Sequence, residues 1–253
     1  MRLKNHFDIS RFWLLLKLEL FRSRKGILIT LVITFGLLFF MDLLLSTFLE
    51  MKKVTHDHSG GYASTLIIGG FILTSLAFGD LGNNLKRYSY LTLPASPFEK
   101  FFCMWLLTSI GWIVVYTIDY TLYAFVANMV GGMLFSLVRF VPFDPLGPAA
   151  LLSMKFYFVL QGIFLVGAVH FKGYVLPKTL FALVLFTLFS GVIAYFFLTD
   201  VMDAETEECL SQPDFLSGSA THGFWQIVVW IFWWLFAPIT WVLAYTGMKD
   251  KEA

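Results

Sequence analysis

The chain has 253 residues, 58% of them hydrophobic and 19% aromatic, and a formal net charge of +1. Soluble domains carry about 25% charged residues; here the share is 14%, too little polar surface for a soluble fold of this length. Near-neutral charge without a basic tract leaves no footprint for nucleic acid, and two cysteines, Cys103 and Cys209, are too few for a disulfide framework.

The N-terminal segment 1–26 is polar and basic, and the apolar run after it is too long for a signal-peptide core, so no cleavable signal is expected. Within Asp8–Lys25, residues Ile9, Phe12, Trp13, Leu16 and Leu20 recur on one helical face, with Arg11, Lys17, Arg22 and Arg24 beside them. Asp8 or Ser10 is placed to cap this helix. The pattern predicts an amphipathic helix lying in the membrane interface, with Gly26 letting the chain turn into the bilayer.

A bilayer crossing needs about 20 apolar residues. Six segments qualify: Ile27–Leu49, Gly61–Phe78, Phe101–Val130, Ala149–His170, Thr179–Leu198 and Gly223–Thr246. The expected fold is therefore an all-α membrane protein, an N-terminal interfacial helix plus six transmembrane helices, in a single domain over 1–253. With both termini inside, fourteen cations fall on the inner side: Arg2, Lys4, Arg11, Lys17, Arg22, Arg24, Lys25, Lys86, Arg87, Lys100, Lys172, Lys178, Lys249 and Lys251. The outer side keeps Lys52, Lys53, Arg139 and Lys155. That asymmetry predicts cytoplasmic N- and C-termini and puts Cys103 and Cys209 on opposite faces.

Two outer segments follow. Residues 131–148 hold Gly131, Gly132, Pro142, Pro145 and Pro148 among apolar residues and should hug the membrane without spanning it. Residues 200–222 form an acidic loop whose spacing matches no calcium-binding EF-hand.

Catalytic signatures fail on their physical requirements. No P-loop, H-E-x-x-H or G-x-S-x-G is present, and neighbouring His56, Asp57 and His58 on an outer loop do not make a metal site. Asp80 and Asp119, the one candidate aspartyl-protease pair, lie at different depths. No catalytic, cofactor or metal residue is expected. Ionisable groups inside spans are costly and functionally suspect. Asp119, Lys155 and Gln161 are the intramembrane polar residues here. Asp119 lies among Tyr116, Thr117, Tyr120 and Tyr123, all potential donors to it, and at the depth of Lys155, so an Asp119–Lys155 pair is expected, a pathway role being the alternative. Asp42 and His170 are expected at the interfaces, and Gln161 as interhelical glue.

The inner loop 81–100 carries the most information. Pro94 and Pro97 punctuate it, Ser96 is placed to cap a helix, Pro97 suits the first turn and Glu99 its positive end. Tyr88, Tyr90, Leu91 and Leu93 beside Lys86 and Arg87 have the composition of a docking surface.

A basic amphipathic N-terminal helix, six spans and the stretch Tyr90-Leu-Thr-Leu-Pro-Ala-Ser-Pro-Phe-Glu-Lys100 together resemble an ABC-2 type transporter permease, whose bacterial members carry a pattern LP-[AV]-S-x-x-E-[KR]. The resemblance implies a membrane subunit, an exporter, of a bacterial inner-membrane ABC transporter. The N-terminal helix would be its elbow helix. Lys86, Arg87, Tyr88, Tyr90, Leu91, Leu93, Pro94, Ser96, Glu99 and Lys100 would couple to a separate ATPase subunit. That partner would hold ATP and magnesium, none being bound by this chain, and a second permease copy would complete a homodimer. The large outer domains of some family members have no counterpart here. Two other readings compete: a secondary transporter using Asp119, and a membrane accessory or immunity subunit that transports nothing. The spans' tryptophans (Trp105, Trp112, Trp225, Trp230, Trp233, Trp234) suit an amphiphilic cargo and lipid anchoring alike.

Overall fold

The computed structural model describes residues 7–52, 55–78, 95–134, 139–205 and 230–252. The fold is nearly all helix: α1 (Ile9–Lys52), α2 (Ser59–Leu76), α3 (Pro97–Leu106), α4 (Trp112–Leu134), α5 (Pro148–His170), α6 (Val175–Glu205) and α7 (Phe236–Glu252). A π-helical turn at Leu107–Gly111 joins α3 to α4. Two short strands, β1 (Thr55–His56) and β2 (Arg139–Phe140), pair in parallel. Among the described residues four helices are long and apolar enough to cross a membrane: Ser59–Leu76, Pro97–Leu134, Pro148–His170 and Val175–Val192. These helices point to a membrane protein and match four of the six expected spans to within a few residues.

The N-terminal expectation needs correcting. No break occurs at Gly26; α1 runs unbroken for 44 residues. A glycine inside a helix costs only about 1 kcal/mol relative to alanine, less than leaving backbone groups unpaired in lipid. The buried face also differs. Phe12, Leu15 and Leu16 are buried against Ala95, Cys103 and Phe102, whereas Ile9, Trp13 and Leu20 are exposed. Leu14, Leu18 and Phe21 are exposed apolar residues as well, so apolar spacing alone specifies no unique face here. Asp8 is the residue that caps the helix: its Oδ1 accepts from the Ser10 backbone N–H at 2.9 Å and from the Ser10 hydroxyl at 2.6 Å. Those bonds hold the Asp8 carboxyl below its ordinary value.

At the centre lies α5, packed between α2 and α7. Close approach depends on missing side chains. A β-carbon on Gly70 of α2 would stand 2.1 Å from the Tyr157 ring of α5, and one on Gly167 of α5 would stand 2.1 Å from the Thr179 hydroxyl of α6. Small residues bring helices together where lipid provides no hydrophobic drive. One core gathers Tyr62, Leu66, Tyr116, Tyr120, Tyr123 and Tyr157. A second, toward the other end of the helices, gathers Phe78, Phe101, Leu165, Val169, Ala244 and Met248.

The expected outer segment 131–148 begins differently from its boundary, since α4 continues to Leu134. Likewise α6 carries the helix to Glu205 and takes in the first six residues of the expected acidic loop; the rest of that loop, with Cys209, lies outside the described residues.

Candidate functional site

Two polar assemblies stand at opposite ends of α1. The first is built around Glu99, whose side chain is fully buried. Ser96 caps α3 by accepting from the Glu99 backbone N–H at 3.2 Å, and Glu99 Oε2 accepts from the Ser96 N–H at 2.8 Å. This is the capping box expected from Ser96, Pro97 and Glu99. The other oxygen, Oε1, accepts from the Asp8 backbone N–H at 2.8 Å and from the Arg11 guanidinium at 3.1 Å. One carboxylate thus closes the start of α3 and fastens the start of α1 to it.

Aromatic packing follows the same line: Phe7 and Phe12 stand 6.5 and 5.3 Å from Phe102. Of the residues assigned to ATPase coupling, Glu99 and Lys100 are therefore buried within this chain, and Ser96 is half-buried. Lys86, Arg87, Tyr88, Tyr90, Leu91, Leu93 and Pro94 lie outside the described residues.

The second assembly centres on His58, the residue before α2, which is 2% exposed. Its Nε2 lies 2.7 Å from Asn128 Oδ1, and its Nδ1 lies 3.4 Å from Asp42 Oδ2. The Asn128 Nδ2 donates to the Val141 carbonyl at 3.4 Å, which orients the amide oxygen toward His58. Both ring nitrogens therefore face acceptors, an arrangement that suits the doubly protonated imidazolium, a donor at each nitrogen. The Tyr123 hydroxyl also donates to Asp42 Oδ2, and the Tyr120 hydroxyl donates to the His58 carbonyl at 2.9 Å. Burial alone would push the His58 pKa down. The Asp42 carboxylate, the Asn128 bond and the charge of Asp57 outweigh that and raise it above the ordinary value.

A run of tyrosine hydroxyls continues from His58 along α2 and α4. Tyr62 meets Thr117 at 2.8 Å, Tyr116 donates to Thr65, and the Trp112 indole donates to the Leu66 carbonyl at 3.0 Å. The expected service of these tyrosines to Asp119 is not what the structure shows. A phenol hydroxyl stands far from its own backbone, so it reaches across to the neighbouring helix. Asp119 sits half-buried on the flank of the stripe, Lys155 is exposed, and no ion pair joins them. Gln161 is fully buried, yet neither its amide nitrogen nor its oxygen has a hydrogen-bond partner among the described residues. Its expected interhelical bonds are not made among the described residues. His170 is exposed, with Nδ1 at 2.9 Å from the Val166 carbonyl.

The His56–Asp57–His58 triplet diverges. His58 turns into the protein, while exposed Asp57 accepts from the Ser59 backbone N–H at 3.1 Å. The reading of Asp42 as an interfacial residue missed its role, because its partners His58 and Tyr123 lie 16 and 81 residues away in sequence. The detectable signal was Tyr116, Tyr120 and Tyr123 on one helical face beside Ala124 and Ala127. The chain matches no family model, no curated protein and no solved structure.

Proposed function

We propose that this chain is the membrane-spanning permease subunit of an ABC-2 type transporter, an exporter driven by a separate ATPase. Residues 27–49 and 223–246 would complete six spans, residues 9–26 would carry the first of them on beyond the bilayer on the cytoplasmic side, and both termini would be cytoplasmic. A second copy would form the translocating pair. The observation that carries the reading is the stretch Leu93–Lys100. Its resemblance to the family's loop is joined to a structural reason for its residue types: Ser96, Pro97 and Glu99 start a helix and bind the N-terminal helix to it. A loop anchored at Glu99 passes force to α1 as well as to α3. The basic and aromatic residues just before it, Lys86 to Leu93, would meet the ATPase.

Interface energy concentrates in a few anchors, each costing about 2 kcal/mol or more on truncation. Tyr90→Ala combined with Leu93→Ala should weaken ATPase binding tens-fold, about 1.4 kcal/mol being a factor of ten. Insertion and folded yield should be retained. The measurement is co-purification of an ATPase subunit with wild-type and variant chains from native membranes in nanodiscs. If the wild type brings down no ATPase, the reading loses its support and the accessory-subunit reading takes its place.

A further inference from the structure

Four buried polar groups lack hydrogen-bond partners among the described residues: the Ser75 hydroxyl, the Trp105 and Trp241 indole nitrogens, and the Gln161 amide at both ends. Unpaired buried polar atoms are rare in native proteins, and each calls for an explanation. These four come from four helical segments, yet they occupy one layer. Each stands about one helical turn from a member of the same apolar core: Ser75 from Phe78, Trp105 from Phe101, Gln161 from Leu165 and Trp241 from Ala244. Chain direction puts all four on the same side of that core. The first two helices in that comparison, α2 and α3, run oppositely, and the residue number falls along one and rises along the other. The same rule holds for α5 and α7, which run with α2.

Proximity supports the layer. The Trp105 and Trp241 rings lie 5.0 Å apart, and Phe158 is 5.2 Å from Trp241 and 6.1 Å from Trp105. The Trp241 nitrogen is 3.4 Å from where a β-carbon on Gly162, next to Gln161, would stand.

The chemistry of the layer is biased. Two indole N–H groups donate only, the amide nitrogen donates twice and the serine hydroxyl once, against the Gln161 and Ser75 oxygens as acceptors. Nothing among the four is cationic, so a desolvated phosphate or carboxylate would lack its counter-charge. Donors set among aromatic rings fit an uncharged oxygen acceptor attached to an apolar body. Trp105 and Trp241 are themselves only half-buried, so the layer borders the surface of the helices, where molecules dissolved in lipid arrive.

We infer that Ser75, Trp105, Gln161 and Trp241 form a binding site for an uncharged, carbonyl-bearing amphiphile that enters from the bilayer. The inference goes beyond the permease reading and does not need it, because binding requires no ATPase.

The test uses the full chain in phosphatidylcholine nanodiscs and a monoacylglycerol carrying a diazirine close to its ester. Peptides containing Trp105 or Trp241 should be photolabelled. Excess monoolein should suppress the labelling at least fivefold, and hexadecane, which has no acceptor, should not. Gln161→Leu and Trp241→Phe should each lower labelling at least fivefold. Gln161→Leu should also melt no lower than wild type, because an apolar side chain of similar size removes an unpaired amide. Labelling that is unchanged in both variants, or that hexadecane suppresses as well as monoolein does, overturns the inference, leaving ordered water or plain lipid contact. Should Gln161→Leu fail to fold, Trp241→Phe, which keeps the ring stack, decides alone, and unchanged labelling in it overturns the inference. ATPase co-purification scores the permease reading separately.

Discussion

The same helix, α1, is fastened at both ends by a carboxylate, and the two fastenings differ in kind. At the Glu99 end a buried carboxylate takes two backbone N–H groups and a guanidinium, donors that hold their protons throughout the ordinary pH range. At the His58 end the carboxylate of Asp42 faces an imidazole, the one side chain that ordinarily titrates near neutrality. One junction is permanent and the other is conditional. Backbone donors give strength without sensitivity, and histidine gives sensitivity at the cost of strength.

The largest expected effect breaks the permanent end. Glu99→Ala removes the capping box, the Asp8 contact and the Arg11 pair together. Breaking a buried ion pair costs about 3–5 kcal/mol, and the partial exposure of Arg11 sets the expectation near the low end, about 3 kcal/mol. Thermal unfolding in nanodiscs measures it, and a loss below about 1 kcal/mol would remove the distinction between the two ends.

The next effect sharpens the conditional end. The folded pKa of His58 is raised, so the imidazolium stabilises the fold below the unfolded value of about 6.5. That contribution disappears as pH rises through the folded pKa. Wild-type stability should therefore fall between pH 6 and pH 9, with a step that Asp42→Ala abolishes, and Glu99→Ala should leave the step in place. A flat wild-type profile would show that folding leaves the His58 pKa at its unfolded value, and a rise with pH would show a ring kept neutral by burial.

The smallest effect concerns a carboxylate that fastens nothing. Asp119→Asn should change stability by less than about 0.5 kcal/mol, because Asp119 is half-buried and makes no ion pair with Lys155. A loss of several kcal/mol, recovered by Lys155→Gln, would restore the expected pair.

What could be read in the chain divides along the same physical lines. Length and hydropathy located four of the six expected apolar helices within a few residues, because lipid demands a continuous apolar run whatever the helix touches. Faces were not legible. Helices α5 and α6 are almost equally apolar, yet 39% of the apolar stretch of the first and 6% of that of the second are buried. In lipid the unburied side stays apolar, so no polar stripe marks the outside. What separates them is small and polar content: α5 buries Ala150, Ser153, Gln161, Gly162, Gly167 and Ala168, while along α6 Thr179 is the buried residue among those described. The capping box was legible because its partners are three residues apart. The Asp42–His58–Tyr123 junction was not, since only tertiary contact defines it.

The unbroken course of α1 joins the two fastenings mechanically. From Arg11 to Asp42 a straight helix rises about 46 Å, against about 30 Å for the hydrocarbon core of a bilayer. A rod that long is a lever whose two attachment points lie farther apart than the lipid is thick. A small sideways pull at Arg11 becomes a change of tilt, and the change must be taken up at Asp42 or the junction there must open. Protonation of one imidazole would then set how firmly the far end resists.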